Sequence, residues 1–285
     1  MSAAAEPGPV RPAAGTPGPR ERRHLPPWAV GLLGAVALVA VWWIGALTVF
    51  ADVGPGHAQA IPTPWQVVQQ WADDGWEFYR RNFQVTLAEA GLGFLWGNGA
   101  ALVLSALVLV VPRLEGAVTQ IAIITYCVPI VAIGILVSII IPAPEVGHPA
   151  GTAVFLAALS CFFTTVVGTL LGLKAADRSS LDVVAVLGGG RLRQLVKVRL
   201  VAALPSVLTA LQIAVPAAFL GAILGEYLGG VDVGIGPAMT NAQNTLNAAR
   251  VWGLALASGA VAMIGYLLLG LVARFVTPWT RGRTA

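Results

Sequence analysis

The chain has 285 residues, of which 57% are hydrophobic and 11% charged, with a formal net charge of +4 and two cysteines. A soluble domain carries about a quarter charged residues, so a mean hydropathy of +0.79 excludes an ordinary soluble protein. Cys127 and Cys161 both lie in apolar runs, which excludes a disulfide framework, and the 17 Lys and Arg are scattered instead of forming one basic stripe, which argues against nucleic-acid binding.

Residues 1–25 are rich in Ala, Pro and Gly without apolar periodicity, so they read as a disordered tail that cannot offset the entropy of ordering. The basic cluster Arg20, Arg22 and Arg23 precedes a 23-residue uncharged run, longer than the apolar core of a cleavable signal, so the first span is expected to stay as an anchor. Residues 26–280 form the transmembrane region and 281–285 a short tail. Spans are expected at about 28–50, 84–111, 117–141, 150–173, 203–227 and 251–274, each built on an uncharged run of 21 to 25 residues. A helix needs roughly 20 apolar residues to cross the hydrocarbon core, and continuous runs exclude a barrel, whose strands alternate in polarity. The fold class is therefore all-α and polytopic, with six transmembrane helices.

With the N-terminus in the cytoplasm, 14 Lys and Arg fall inside and 3 outside, namely Arg80, Arg81 and Arg250. That split follows the positive-inside rule and puts both termini in the cytoplasm. Trp28 and Trp279 then sit at the inner interface and Trp65, Trp71, Trp76 and Trp252 at the outer one. After the first span, Pro64 opens one or two interfacial helices outside.

The cytoplasmic segment 174–200 is too regular for a linker. Residues 181–187 read as a helix with Ser179 or Ser180 as N-cap and Asp182 in its first turn. Gly188, Gly189 and Gly190 break it, and a second helix follows in which Leu192, Leu195 and Val196 alternate with Arg191, Arg193 and Lys197. Two short helices at a glycine bend make a knob whose partner is a cytoplasmic protein. The bend is expected to need a positive φ at Gly188.

The segment DVVAVLGGGRLRQLVKVRLVAALP resembles the cytoplasmic signature of binding-protein-dependent ABC importer permeases, E-A-A-x-x-x-G followed after nine residues by I-x-L-P. Asp182 takes the Glu place, Gly188 the Gly, and Val198 and Leu200 the I and L; Val183 and Val184 replace the two Ala, and Val201 replaces the Pro. Pro205, the stretch IPTPWQVVQQW after the first span and GEYLGGVDVGIG after the fifth are similar to the sulfonate, taurine and nitrate branch. The resemblance covers roughly residues 28–280. It implies the type I importer permease fold, a homodimer of permease subunits, two ABC ATPase subunits that bind ATP and Mg, and an extracytoplasmic solute-binding protein, in a bacterial inner membrane. Asp182, Val184, Leu187, Gly188, Arg191, Leu192 and Arg193 become the expected ATPase-coupling residues. The chain has no P-loop: its two lysines, Lys174 and Lys197, lack that context. ATP is expected to be hydrolysed on a separate subunit, and the chain itself to be no enzyme.

Tyr126, Pro129, Gln212, Pro216 and Glu226 are candidate pathway residues, since Pro129, Pro205 and Pro216 interrupt helices and polar side chains at depth either line a path or bond between helices. Gln120, Thr164 and Thr165 fall under the same two readings. Glu89 and Glu226 sit at the outer ends of their spans, where a carboxylate reaches water, and Glu226 also resembles a branch Glu with a gate or packing role. Asn241, Asn244 and Asn247 share a wetted helical face, and three scattered histidines make a metal site improbable. A stand-alone secondary transporter or channel is the alternative; it needs coupling-ion sites at the midplane, and no charge lies there. A membrane anchor for a cytoplasmic complex is a third reading. The branch implies a small polar or anionic solute, such as a sulfonate, taurine or nitrate.

Overall fold

The computed structural model describes residues 26–54 and 59–279. The two expected tails therefore lie outside the described residues. The helices are α1 (Pro27–Leu47), α2 (Pro64–Val110), α3 (Glu115–Cys127), α4 (Ile130–Ile140), α5 (Gly151–Lys174), α6 (Arg178–Val186), α7 (Arg191–Gln194), α8 (Leu200–Leu228), α9 (Ile235–Asn244) and α10 (Ala248–Val276). Among the described residues there is no strand.

Local chemistry sets the breaks. Thr63 opens α2 with a capping box, its hydroxyl accepting from the Gln66 amide while the Gln66 side chain accepts from the Thr63 amide. Gly75, at φ +69°, then kinks this helix, so 64–74 is a separate helical piece and the rest continues as the long apolar stretch. The third expected span, 117–141, is broken: α3 and α4 meet at 91°. Val128 is extended, with ψ 129°, because the ring of Pro129 disfavours the α region for the residue before it, and Pro129 has no N–H with which to continue the helix. Pro205 and Pro216 do not interrupt anything. Both sit inside the continuous α8, where Thr209 donates to the Pro205 carbonyl at 2.9 Å.

Five helices are long and apolar enough to cross a membrane on their own, namely α1, α2, α5, α8 with the turn before it, and α10. Counted as one span, the bent pair is the sixth candidate. At its start Glu115 is ion-paired with Lys174 at the end of α5, and beyond its far end Ile141 packs against Gly151 at the start of α5. The pair thus travels the full length of α5 in the opposite direction.

Helix α5 is the centre of the molecule, packed between α2 and α8. Small residues let the backbones approach. A Cβ on Gly225 would stand 2.3 Å from the Ala153 Cα, and one on Gly97 2.2 Å from the Ala158 carbonyl oxygen. Around these contacts Ala157, Cys161, Ala214, Ala218 and Ala222 form one buried cluster; Ala101, Val118, Phe162 and Val166 belong to a second. Helix α1 lies at the edge, its apolar side chains almost all exposed, and is tied down near one end by the Trp42 indole, which donates to the Pro62 carbonyl at 3.0 Å and stacks on Trp252.

Candidate functional site

Two ends of the bundle carry polar architecture, joined by one helix. At the first end lies the knob. Asp177, not Ser179 or Ser180, holds the N-cap position of α6. The Ser179 hydroxyl donates to the Asp177 carboxylate instead of capping, and this bond is the main reason that the carboxyl is held below its ordinary range. The helix ends in a Schellman motif: the Gly189 amide donates to the Val184 carbonyl at 2.8 Å and the Gly188 amide to that of Ala185 at 3.0 Å. Gly188 has φ +73°, as its place in the bend demands. Gln194 bonds back to the Leu181 carbonyl at 3.3 Å, closing the knob.

The expected coupling residues divide. Asp182, Leu187, Gly188 and Arg193 are exposed, while Val184 is half-buried because it covers the Gly189 turn. The helical backbone runs through Arg191 and Leu192, whose side chains lie outside the described set. Leu187 is 76% exposed and Val186, overlooked in the sequence, 86%. Leu187 is the last residue before the glycines, and its neighbour was the only signal available. The second helix does not stop at the membrane. It continues from Arg191 through a π-turn at Leu195–Arg199 straight into α8.

At the other end, Glu89 and Glu226 overturn the expectation that they reach water: they are 0% and 2% exposed. Glu226 Oε1 accepts from the Thr86 hydroxyl at 2.5 Å, and Oε2 from the Gly236 amide at 2.6 Å. Thr86 in turn accepts from the Ile235 amide at 3.0 Å, and Asn82 Oδ1 from the Gly234 amide at 3.1 Å. Three successive amides opening α9 are thereby bound by side chains of α2 and α8. Glu89 Oε1 accepts from the Ala150 amide at 2.6 Å, while its Oε2 is buried without a partner among the described residues. The spacing of Asn82, Thr86 and Glu89 marks one polar face of an otherwise apolar helix, and that was the legible sign of this site.

Beside it, the Asp74 side chain is fully buried and ion-paired with Arg250, whose guanidinium lies 5.4 Å from the Phe78 ring centre. Gln70 donates to Asp74 at 2.7 Å, and Asn247, which caps α10 by accepting from the Arg250 amide, donates to Gln70 at 3.2 Å. Asn247 therefore lies beyond α9 and does not share a face with Asn241 and Asn244. The Tyr79 hydroxyl donates to the Asp74 carboxylate at 3.4 Å. A cavity of about 390 Å³ opens here, lined by Glu77, Arg81, Asn82, Asp232, Asn241 and Arg250 among others.

The five candidate pathway residues do not converge among the described residues. Gln212 lines a cleft of about 650 Å³ between α8 and α10 with Thr209, Tyr266 and Arg274. Pro216 is half-buried one turn further along α8. Tyr126, 70% exposed, stacks on Phe163 next to the Pro129 break, and Glu226 is buried and held by Thr86 and the Gly236 amide. Thr165 takes the interhelical role, donating to Asn98 at 2.5 Å. Among the described residues no group of His, Cys, Asp and Glu is placed to hold a metal.

A bundle of membrane-crossing helices with an exposed knob on a short excursion is the frame of a transport subunit, and the comparisons name its class. Residues 93–282 match the family described as binding-protein-dependent transport system inner membrane component. This is more than half of the chain, and the protein belongs to that family: it is a multi-pass ABC transporter permease with the type I fold. It is 24% identical over 244 residues to the formylaminopyrimidine transport permease protein ThiX of Halalkalibacterium halodurans, covering 86% of this chain and 93% of the relative. Similar too are a probable ABC transporter permease protein of Haemophilus influenzae, 29% identical over 74% of this chain and 81% of the relative, and the putative aliphatic sulfonates transport permease protein SsuC of Bacillus subtilis, 28% identical over 71% and 70%.

Proposed function

We propose that this permease forms, as a homodimer, the membrane pathway for a small polar or anionic solute. An extracytoplasmic solute-binding protein delivers the solute, and ATP with Mg is bound and hydrolysed on two separate ATPase subunits docked at the knobs. The knob then faces the cytoplasm with both termini, and the α9 end faces outward. The observation that carries this reading is the knob itself: apolar side chains exposed on a turn fixed by Gly188 and continued without a break into α8. Such a surface suits a groove on another protein, and a rigid connection is what coupling requires, since ATP drives a conformational change only through differential contact with the two states. The names of the relatives support a small organic solute and span two chemistries, an aminopyrimidine and aliphatic sulfonates. Among the described residues Arg274 is the one charged side chain lining the cleft at Gln212, so selection rests mainly on the binding protein.

The test is reconstitution of the permease with its ATPase and binding protein in vesicles. Uptake that requires ATP and the binding protein supports the reading. Uptake by the permease alone down an ion gradient contradicts it. A thermal-shift screen of the binding protein against sulfonates, taurine, nitrate and aminopyrimidines identifies the solute.

A further inference from the structure

We infer that the bend between α3 and α4, residues 126–131, faces water at the mid-depth of the membrane and walls the solute's passage there, with a second copy of the chain as the opposite wall. The bend interrupts the helical bonding. Val128 and Pro129 are both extended, with ψ 129° and 117°, and Pro129 has no N–H to give. The Tyr126 and Cys127 carbonyls therefore have no amide one turn ahead, and the Ile130 and Val131 amides no carbonyl one turn back. The next two amides, of Ala132 and Ile133, both donate to the Pro129 carbonyl. The nearest hydroxyls, of Thr125 and Ser138, donate to the Ala122 and Ile135 carbonyls and leave the bend alone. Among the described residues nothing covers it: Tyr126, Cys127, Val128 and Pro129 are all exposed.

Helix α5 fixes the depth of the bend. Tyr126 stacks on Phe163, midway along the 24-residue α5, with ring centres 4.5 Å apart. On one side of the bend Val118 and Ala122 pack with Val166 and Leu170; on the other, Gly134 lies against Leu156. Hydrocarbon offers free carbonyls and amides no partner, and irregular backbone persists at this depth only inside protein or beside water. A second copy seated dry on this face would press Ile124, Val131 and Ile135 against it, and these exposed side chains carry neither donor nor acceptor. Water supplies both. A polar solute passing here meets acceptors and donors without a fixed charge, in keeping with selection on the binding protein. That the solute passes here rests on the permease reading above; the contact with water rests on the depth of the bend alone.

The natural thiols test this without altering the bend. A positively charged methanethiosulfonate reagent, applied to the full-length permease in lipid nanodiscs, reaches only thiols in contact with water, and peptide mass spectrometry reads each cysteine separately. Cys161, buried against Gly97, is the internal control. Leu38→Cys, exposed midway along α1 at the edge of the bundle, is the lipid control. Cys127 should be modified at least about tenfold faster than the thiol of Leu38→Cys. Once Cys127 is modified, ATP-driven uptake in vesicles assembled with the ATPase and the binding protein should be lost, and a reductant that releases the label should restore it. A Cys127 no faster than Leu38→Cys overturns the proposal, as does full uptake by the labelled permease. The labelling uses neither solute nor ATP. An inert Cys127 in a permease whose uptake requires ATP and the binding protein sinks this inference alone, whereas a reactive Cys127 with uptake that needs neither sinks the ATP-driven reading and leaves the water-facing bend standing.

Discussion

Segment 229–247 and the knob are both short helical excursions from the bundle, yet they are held in opposite ways. Segment 229–247 gives its backbone amides to side chains of the spans and buries Ile235 and Ala238 between them. The knob satisfies its backbone within itself, through the Schellman turn, and leaves Val183, Val186 and Leu187 exposed. One region is closed by its own chain; the other leaves apolar side chains uncovered. Both sit on one helical run, from Arg191 to Leu228, with the knob at its start and Glu226 near its end. At 1.5 Å per residue such a run is roughly 55 Å long, enough to carry a displacement across a bilayer.

The comparison can be broken at either end. The largest effect is expected from Arg250→Ala, which strands the buried Asp74 carboxylate and should cost on the order of 3 kcal/mol, read as a lowered thermal midpoint of the purified permease. An unchanged midpoint would show the outer network to be ornamental. Next, Gly225→Leu drives a side chain into the α5 backbone and should cost about 2 kcal/mol, whereas Gly91→Leu, which meets open space, should cost little. Gly188→Ala strains a left-handed residue by about 1 kcal/mol within the knob alone, so the midpoint of the bundle should hold. Gly188→Val and Asp182→Lys should leave the permease inserted yet weaken its association with the ATPase and abolish uptake; normal ATP-driven uptake in both would remove the knob as the coupling element. The gentlest probe changes no stability. In a background lacking Cys127 and Cys161, a cysteine at Trp76, 77% exposed, should react with an impermeant reagent in intact cells and one at Ser180 should not. Asp74, though a neighbour of Trp76 in sequence, is unsuitable because it is buried.

The two regions also differ in how far they could be read in advance. The knob was legible because its determinants are contiguous: a glycine run, alternating basic and apolar residues, and a spacing shared with importer permeases. The spans were legible from their uncharged runs. What escaped were pairings across distance. Glu89 and Glu226 each look like a carboxylate near a span end, and only the fold, which brings α2 against α5 and α8, buries both against amides of other segments. Asp74 and Arg250, separated by 176 positions, are the same case. The prolines show a limit of another kind: Pro129 breaks its helix at 91° while Pro205 and Pro216 are absorbed, and their residue type alone does not distinguish them.

Hydrogen exchange of the whole permease, alone and assembled with its ATPase subunits, tests most directly the claim that one end is closed by its own chain and the other awaits a partner. Segment 229–247 should be protected in both states, and segment 178–190 should exchange rapidly alone and become protected on assembly. A knob already protected in the free permease, or one that assembly leaves unprotected, would contradict the account.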